Sequence, residues 1–135
     1  MNNITDSTKT QLAAACILLS VADADEILED KELDIINAIL QDFFTLDEKA
    51  GSSLMGKAQC EWKKSTGIFE FGNQLNEGFS HDDKIDFISC VFEVAYADGE
   101  LHYLEHHTIK KIANILNLHR DEIITAKAEI ENFLD

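Results

Sequence analysis

The absence of proline is the feature that most constrains how this chain folds, since proline is the residue that most strongly interrupts a helix. Apolar residues recur at intervals of three and four, which places them along one helix face, and no segment shows the strict alternation typical of a strand. This spacing predicts an all-α fold, a compact helical domain of about six to seven helices. The expected helices cover about 8–24, 30–44, 47–64, 68–79, 81–97, 103–116 and 120–134.

Short polar segments mark the expected helix boundaries. Thr45-Leu-Asp-Glu48 has the pattern of a capping box and predicts that a helix begins there. Ser80 and Asp83 predict another helix start, because a serine oxygen and a first-turn acid suit the free N–H groups and the helix dipole. The region 45–79 is interpreted as a connector. Three of its phenylalanines are expected at the surface: Phe69, Phe71 and Phe79.

The balance of charge limits the possible partners. The chain has 26 acidic and 11 basic side chains, which gives a net charge of −15. Nucleic acids and anionic membranes require clustered lysine and arginine, so cations or basic protein surfaces are favoured, with a purely solubilising acidic surface as the alternative. No apolar run approaches the roughly 18 residues of a membrane span, so no membrane insertion is expected. The start of the chain lacks the pattern of a secretory signal, and a cytoplasmic location is expected.

An internal similarity relates the two ends of the chain. Displaced by 73 positions, residues 12–40 align with 85–113 without a gap. Each copy reads as a helix, an Ala-x-Ala-Asp turn and a second helix, so we expect one domain, 1–135, with repeat halves at about 8–44 and 81–116. Eight residues of the first copy recur unchanged in the second: Val21, Ala22, Ala24, Asp25, Leu28, Glu32, Ile36 and Ile39.

The second copy carries a recognisable pattern. Ala95-Tyr-Ala-Asp-Gly-Glu-Leu101, followed by Glu105, resembles the motif of the tellurite-resistance protein B (TerB-like) family. Ala22-Asp-Ala-Asp-Glu-Ile-Leu28 with Glu32 is similar to that family's other acidic turn, and the resemblance covers most of the chain. It implies a compact all-α fold, cytoplasmic residence, a link to tellurite or stress response, and metal binding at the acidic turns. The first copy departs from the pattern, with Glu26 where Gly99 stands in the second.

The acidic turns supply the candidate metal ligands. With Asp98 at position five of an EF-hand loop, Glu105 falls at position twelve, but Val94 and Tyr96 occupy positions that need carboxylates, so a complete EF-hand is not expected. Oxygen ligands favour Ca²⁺, Mg²⁺ or Mn²⁺, and Zn²⁺ only if histidine participates. The four primary candidates are Asp25, Glu32, Asp98 and Glu105. Four candidates rank second: Asp23, Glu29, Glu100 and His102.

Two alternatives to a metal site stay open. Glu32 and Glu105 each follow a possible helix start by three residues and are equally suited to capping it. A metal-free adaptor, which binds a protein partner through an acidic face or an apolar groove, is the rival function. His102-Tyr-Leu-Glu-His106 matches the HxxEH pattern of inverted zinc peptidases, but the chain is small for one and contains no other catalytic motif, so no enzyme is expected. The identity of the ion, the partner and the oligomeric state stay open.

Overall fold

Seven α-helices form the protein in the computed structural model, which describes residues 4–24, 29–97, 101 and 103–134, with side chains between 8 and 132. No strand occurs within these ranges, which confirms the predicted all-α class. No helix among the described residues is long and apolar enough to cross a membrane. The helices are α1 (Ile4–Ala22), α2 (Asp30–Phe44), α3 (Glu48–Lys64), α4 (Phe69–Gly78), α5 (His81–Ala95), α6 (Tyr103–Ile115) and α7 (Arg120–Leu134).

Helix α1 is the centre of the fold. It contacts α2, α3, α4, α5 and α6. The run from Ala13 to Leu19 is completely buried, and Val21 and Ala22 continue it to the end of the helix. A helix that is apolar on every side is stable only when other elements surround it, and the alanines at 13–15 let neighbouring helices approach closely. The packing of α1 therefore determines where the other helices lie.

The capping between α2 and α3 differs from the prediction, although the bounds of both helices agree with it to within one residue. Thr45 is the C-cap of α2 in a left-handed conformation, with φ 54° and ψ 54°. Asp47 is the N-cap of α3, and its Oδ1 accepts a hydrogen bond of 2.7 Å from the backbone N–H of Ala50. The capping box predicted at 45–48 is therefore wrong, because an N-cap residue requires extended backbone. The predicted cap at Ser80 is confirmed, with reciprocal hydrogen bonds between Ser80 and Asp83 of 3.1 and 3.0 Å.

Two of the three connector phenylalanines that were expected at the surface are buried instead. Phe69 is 68% exposed as predicted, whereas Phe71 and Phe79 are buried. Phe71 lies on the face of α4 that packs into the core. The ring of Phe79 lies 5.5 Å from the rings of both Phe43 and Phe87, so it joins α2 to the start of α5. The connector therefore belongs to the core and is not an appended surface segment.

Equal spacing relates the helix boundaries of the two predicted halves. Helices α1 and α5 end at Ala22 and Ala95, and α2 and α6 begin at Asp30 and Tyr103, each pair 73 positions apart. Ile36 and Ile109 are both buried, as equivalent core positions require. The duplication itself stays a prediction that superposition of the two halves would test.

Candidate metal site at the acidic turns

The two acidic turns leave their preceding helices in the same way. The N–H of Asp23 donates to the carbonyl of Leu19 at 2.9 Å, and the N–H of Tyr96 donates to that of Phe92 at the same distance. A second backbone hydrogen bond follows in each copy. The N–H of Ala24 donates to the carbonyl of Val21 at 3.2 Å, and the N–H of Ala97 donates to the carbonyl of Val94 at 3.1 Å. Four of the predicted ligands lie beyond these bonds and outside the described residues: Asp25, Asp98, Glu100 and His102.

Glu32 caps the helix on which it lies. It is the third residue of α2, and its Oε1 accepts a hydrogen bond of 3.2 Å from the backbone N–H of Glu29, the N-cap. Glu32 therefore caps the start of α2, as the alternative interpretation of the sequence predicted. A carboxylate offers about four lone-pair sites, so a capping bond and a cation are compatible on one glutamate. Glu29, a second-rank candidate, is exposed at the same helix start.

Glu105 occupies the equivalent position of α6 in a different environment. It is 2% exposed, and no other charged side chain among those described is buried. Withdrawing a carboxylate from water is costly unless hydrogen bonds or opposite charge compensate it. The sequence predicts equal roles for Glu32 and Glu105, but the structure leaves Glu32 partly exposed and encloses Glu105 at the start of its helix.

Asp23 has a structural contact that the sequence did not reveal. Its Oδ2 accepts a hydrogen bond of 3.0 Å from the indole Nε1 of Trp62, which ties the end of α1 to α3. The indole ring lies 6.5 Å from the ring of Phe71. No local sequence signal predicts this bond, since its partners are 39 positions apart. Asp23 therefore holds the first turn against the connector, whether or not it also contacts an ion.

His106 follows Glu105 and is partly buried. Burial lowers the pKa of His106, and the nearby charges of Lys127 and Lys110 lower that pKa further. A neutral imidazole is the form that binds metals, but the two lysines disfavour a cation beside it. His102, the first residue of the HxxEH pattern, lies outside the described residues.

The described residues do not complete a metal site by themselves. Among residues 4–24, 29–97, 101 and 103–134, no three His, Cys, Asp or Glu side chains form a group that could hold an ion. Glu32 and Glu105 are therefore not brought together with enough further ligands in this part of the chain. Their carboxylate oxygens are the type of ligand that hard cations prefer. Asp25 and Asp98 would have to supply the remaining protein ligands.

A second acidic contact lies away from the turns, between α2 and α5. Burial raises the pKa of Glu93, and the charge of Asp42 raises it further. Beside them, burial raises the pKa of the Cys90 thiol to about 12, with the charges of Glu93, Asp86 and Asp42 adding to the effect. Like charges facing each other across two helices destabilise the folded state at neutral pH. No pattern in the sequence indicated this interaction between acidic side chains.

Comparison with known proteins identifies a family for most of the chain. The model of the tellurite resistance protein TerB family matches residues 11–128. The matched range begins in α1, ends in α7 and includes both acidic turns. No curated protein and no solved structure matches the chain.

Proposed function

Since the chain belongs to the tellurite resistance protein TerB family, we propose that it is a divalent-cation-binding module. Its ligands in this proposal are Asp25, Glu32, Asp98 and Glu105. A cytoplasmic location and a role in tellurite or stress response are part of the same proposal. It includes no catalytic activity.

The burial of Glu105 is the observation that carries the proposal. This carboxylate lies at the start of α6 with 2% of its surface exposed, 73 positions after a glutamate at the start of α2. A carboxylate offers about four lone-pair sites, so Glu105 can keep its interaction within the protein and also bind a cation near the second turn. The cation would also reduce repulsion in a chain whose net charge is −15.

The donor chemistry limits the ion and the affinity. Carboxylate oxygens favour Ca²⁺, Mg²⁺ or Mn²⁺, and Zn²⁺ becomes competitive if His102 joins the site. Val94 and Tyr96 replace two EF-hand ligands, so water would complete the coordination and the affinity would be modest. Binding to the folded state alone stabilises it by RT ln(1 + [L]/Kd), about 2.7 kcal/mol at a hundredfold excess over Kd.

A metal-free adaptor is the second candidate function, and two observations favour it. Glu32 already serves as a capping residue, which explains one matched acid without an ion. An apolar groove with acidic walls lies between α5 and α7, away from the turns. In this alternative the acidic turns are structural and the groove binds a protein partner.

Thermal unfolding of a charge-deleted variant tests the metal proposal. Asp98→Asn with Glu105→Gln preserves side-chain size and removes two charges. The matched control, Asp34→Asn with Glu77→Gln, removes two exposed charges from α2 and α4. We expect Ca²⁺, Mg²⁺ or Mn²⁺ to raise the melting temperature of the wild-type protein and the control, and to leave the turn variant unchanged.

Each melting temperature is compared with that of the same variant in chelator, so an intrinsic loss of stability in the turn variant does not obscure the result. Equilibrium dialysis of the folded proteins against the same ions measures binding directly. An equal divalent response in the turn variant and the wild type would refute the proposed ligands. No divalent response in any of the three proteins would favour the adaptor.

A further inference from the structure

We propose that the groove between α5 and α7 binds an extended, basic segment of another protein, with the pattern basic–x–apolar–x–basic. This surface is separate from the acidic turns and does not depend on a cation. The groove encloses about 290 Å³. That is at the lower limit of usual ligand pockets and leaves room for one apolar side chain with the backbone beside it.

Small side chains in the middle of both helices create the groove. Ala126 of α7 is buried against α5, and Ser89 of α5 faces the same space. Because neither side chain fills the interval between the helices, a depression remains beside Ile85 and Thr125. Its apolar floor is suited to an aliphatic side chain of a partner.

Two hydrogen bonds between side chains hold α7 beside α5 and keep the groove formed. At one end, His81 Nε2 and Glu122 Oε2 lie 2.6 Å apart, and the backbone N–H of His119 donates to the other oxygen of Glu122 at 2.8 Å. At the other end, the hydroxyl of Tyr96 donates to Glu131 at 2.6 Å. These bonds join both ends of α5 to α7, so the groove is preorganised for binding.

The charge of the groove lining determines which kind of partner segment is favoured. Three carboxylates line the groove, from Asp121, Glu122 and Glu129, and no lysine or arginine is among its lining residues in the described chain. Glu122 is engaged by His81 and His119. Asp121 and Glu129 make no hydrogen bond or ion pair with another described residue, so a partner can bind them without breaking a contact within that part of the chain. A basic segment is therefore favoured over an acidic or neutral one.

Helix geometry determines the spacing of the partner's charges. Asp121 and Glu129 are eight residues apart on α7, which corresponds to about 12 Å along the helix. In an extended segment, residues i and i+4 lie on one face about 13 Å apart, with residue i+2 between them on the same face. Two basic side chains at i and i+4 therefore match the two carboxylates, and the residue at i+2 faces Thr125 and Ala126.

A fluorescent peptide containing Lys-Ser-Leu-Ser-Lys tests the inference by anisotropy titration into the full chain, in chelator and at low ionic strength. Its control peptide, Lys-Lys-Leu-Ser-Ser, has the same composition and charge in the wrong spacing. We expect the first peptide to bind more tightly, and Asp121→Asn with Glu129→Gln to weaken it roughly threefold to thirtyfold. Asp34→Asn with Glu77→Gln removes the same charge elsewhere and is expected to change its Kd less than twofold.

Ser89→Leu keeps every acid and fills the floor, so it is expected to weaken binding while circular dichroism shows a folded helical protein. Equal binding of the two peptides, or equal weakening by the two charge-deleted variants, would mean attraction by net charge alone and would overturn the inference. Equally effective competition by spermidine would also overturn it, in favour of a small cation. Because chelator is present throughout, failure of the metal proposal does not affect this result.

Discussion

Replacing Gly72 with alanine tests how closely α4 packs against α6. Gly72 is buried, and a Cβ atom built on it would lie 3.2 Å from the Cβ of Ile115 and closer still to its Cγ2. Ile115 cannot move easily, because it is β-branched and its carbonyl accepts a 2.8 Å hydrogen bond from the side chain of Asn76 in α4. The alanine methyl group must therefore force Ile115 into a strained side-chain torsion or displace one helix relative to the other.

The expected magnitude comes from two opposing effects. Alanine is favoured over glycine within a helix by about 1 kcal/mol, whereas overpacking a core costs about 1–3 kcal/mol. Gly56→Ala is the matched control, since Gly56 lies within α3 and a Cβ there meets nothing within 4 Å. The helix preference is common to both variants. Gly72→Ala is therefore expected to be less stable than Gly56→Ala by about 1–3 kcal/mol.

Urea unfolding followed by circular dichroism measures both free energies of unfolding. We expect Gly56→Ala to exceed the wild-type protein in stability by up to about 1 kcal/mol. We expect the free energy of unfolding of Gly72→Ala to be lower than that of Gly56→Ala. The slope of this free energy against urea concentration should be the same for both variants. If both alanines stabilise the protein equally, then α4 and α6 are not in close contact at this position and the arrangement described above is wrong there.

Three further predictions concern the core and the charge. Ile36→Ala and Ile109→Ala should each lower the free energy of unfolding by about 2–5 kcal/mol in urea titrations, and a loss below 1 kcal/mol in either would contradict core packing at that site. Glu93→Gln should stabilise the protein at neutral pH, because the pKa of Glu93 is raised from 4.5 in the folded state and ionisation opposes folding above that range. This advantage should vanish as the pH falls below 4.5, and a constant difference across pH would exclude the ionised carboxylate of Glu93, disfavoured by burial and by Asp42, as its source. Monovalent salt should raise the melting temperature by screening the −15 net charge, and a flat or falling response would show local compensation.

Helix periodicity and capping account for most of what was predictable from the sequence. The bounds of α2 and α7 agree with the predicted ranges, since their apolar spacing is regular and polar residues flank them. The predicted range of α3 agrees with the structure to within one residue, but its capping residue is wrong because Thr45 and Asp47 are both good capping residues. Only the backbone conformation, left-handed at Thr45, shows that the first ends a helix and the second begins one.

Long-range packing accounts for what the sequence could not predict. Phe71 and Phe79 belong to a connector with an irregular pattern, and their burial depends on how α4 lies against α1 and on the rings of α2 and α5. The candidate site shows the same limit. Repetition in the sequence identified Glu32 and Glu105 as equivalent, but their burial is unequal, and their helices have different neighbours: α3 packs against α2, and α4 packs against α6.

Native mass spectrometry of protein purified without chelator or affinity tag tests the proposed metal site most directly. The account predicts a discrete adduct of one divalent ion on the wild-type protein, and on the control variant Asp34→Asn with Glu77→Gln. It predicts that Asp98→Asn with Glu105→Gln, sprayed from the same buffer, loses this adduct while keeping the charge-state distribution of a folded protein. A wild-type protein without a discrete adduct after addition of Ca²⁺, Mg²⁺ or Mn²⁺, or an adduct that survives in the turn variant, would contradict the account.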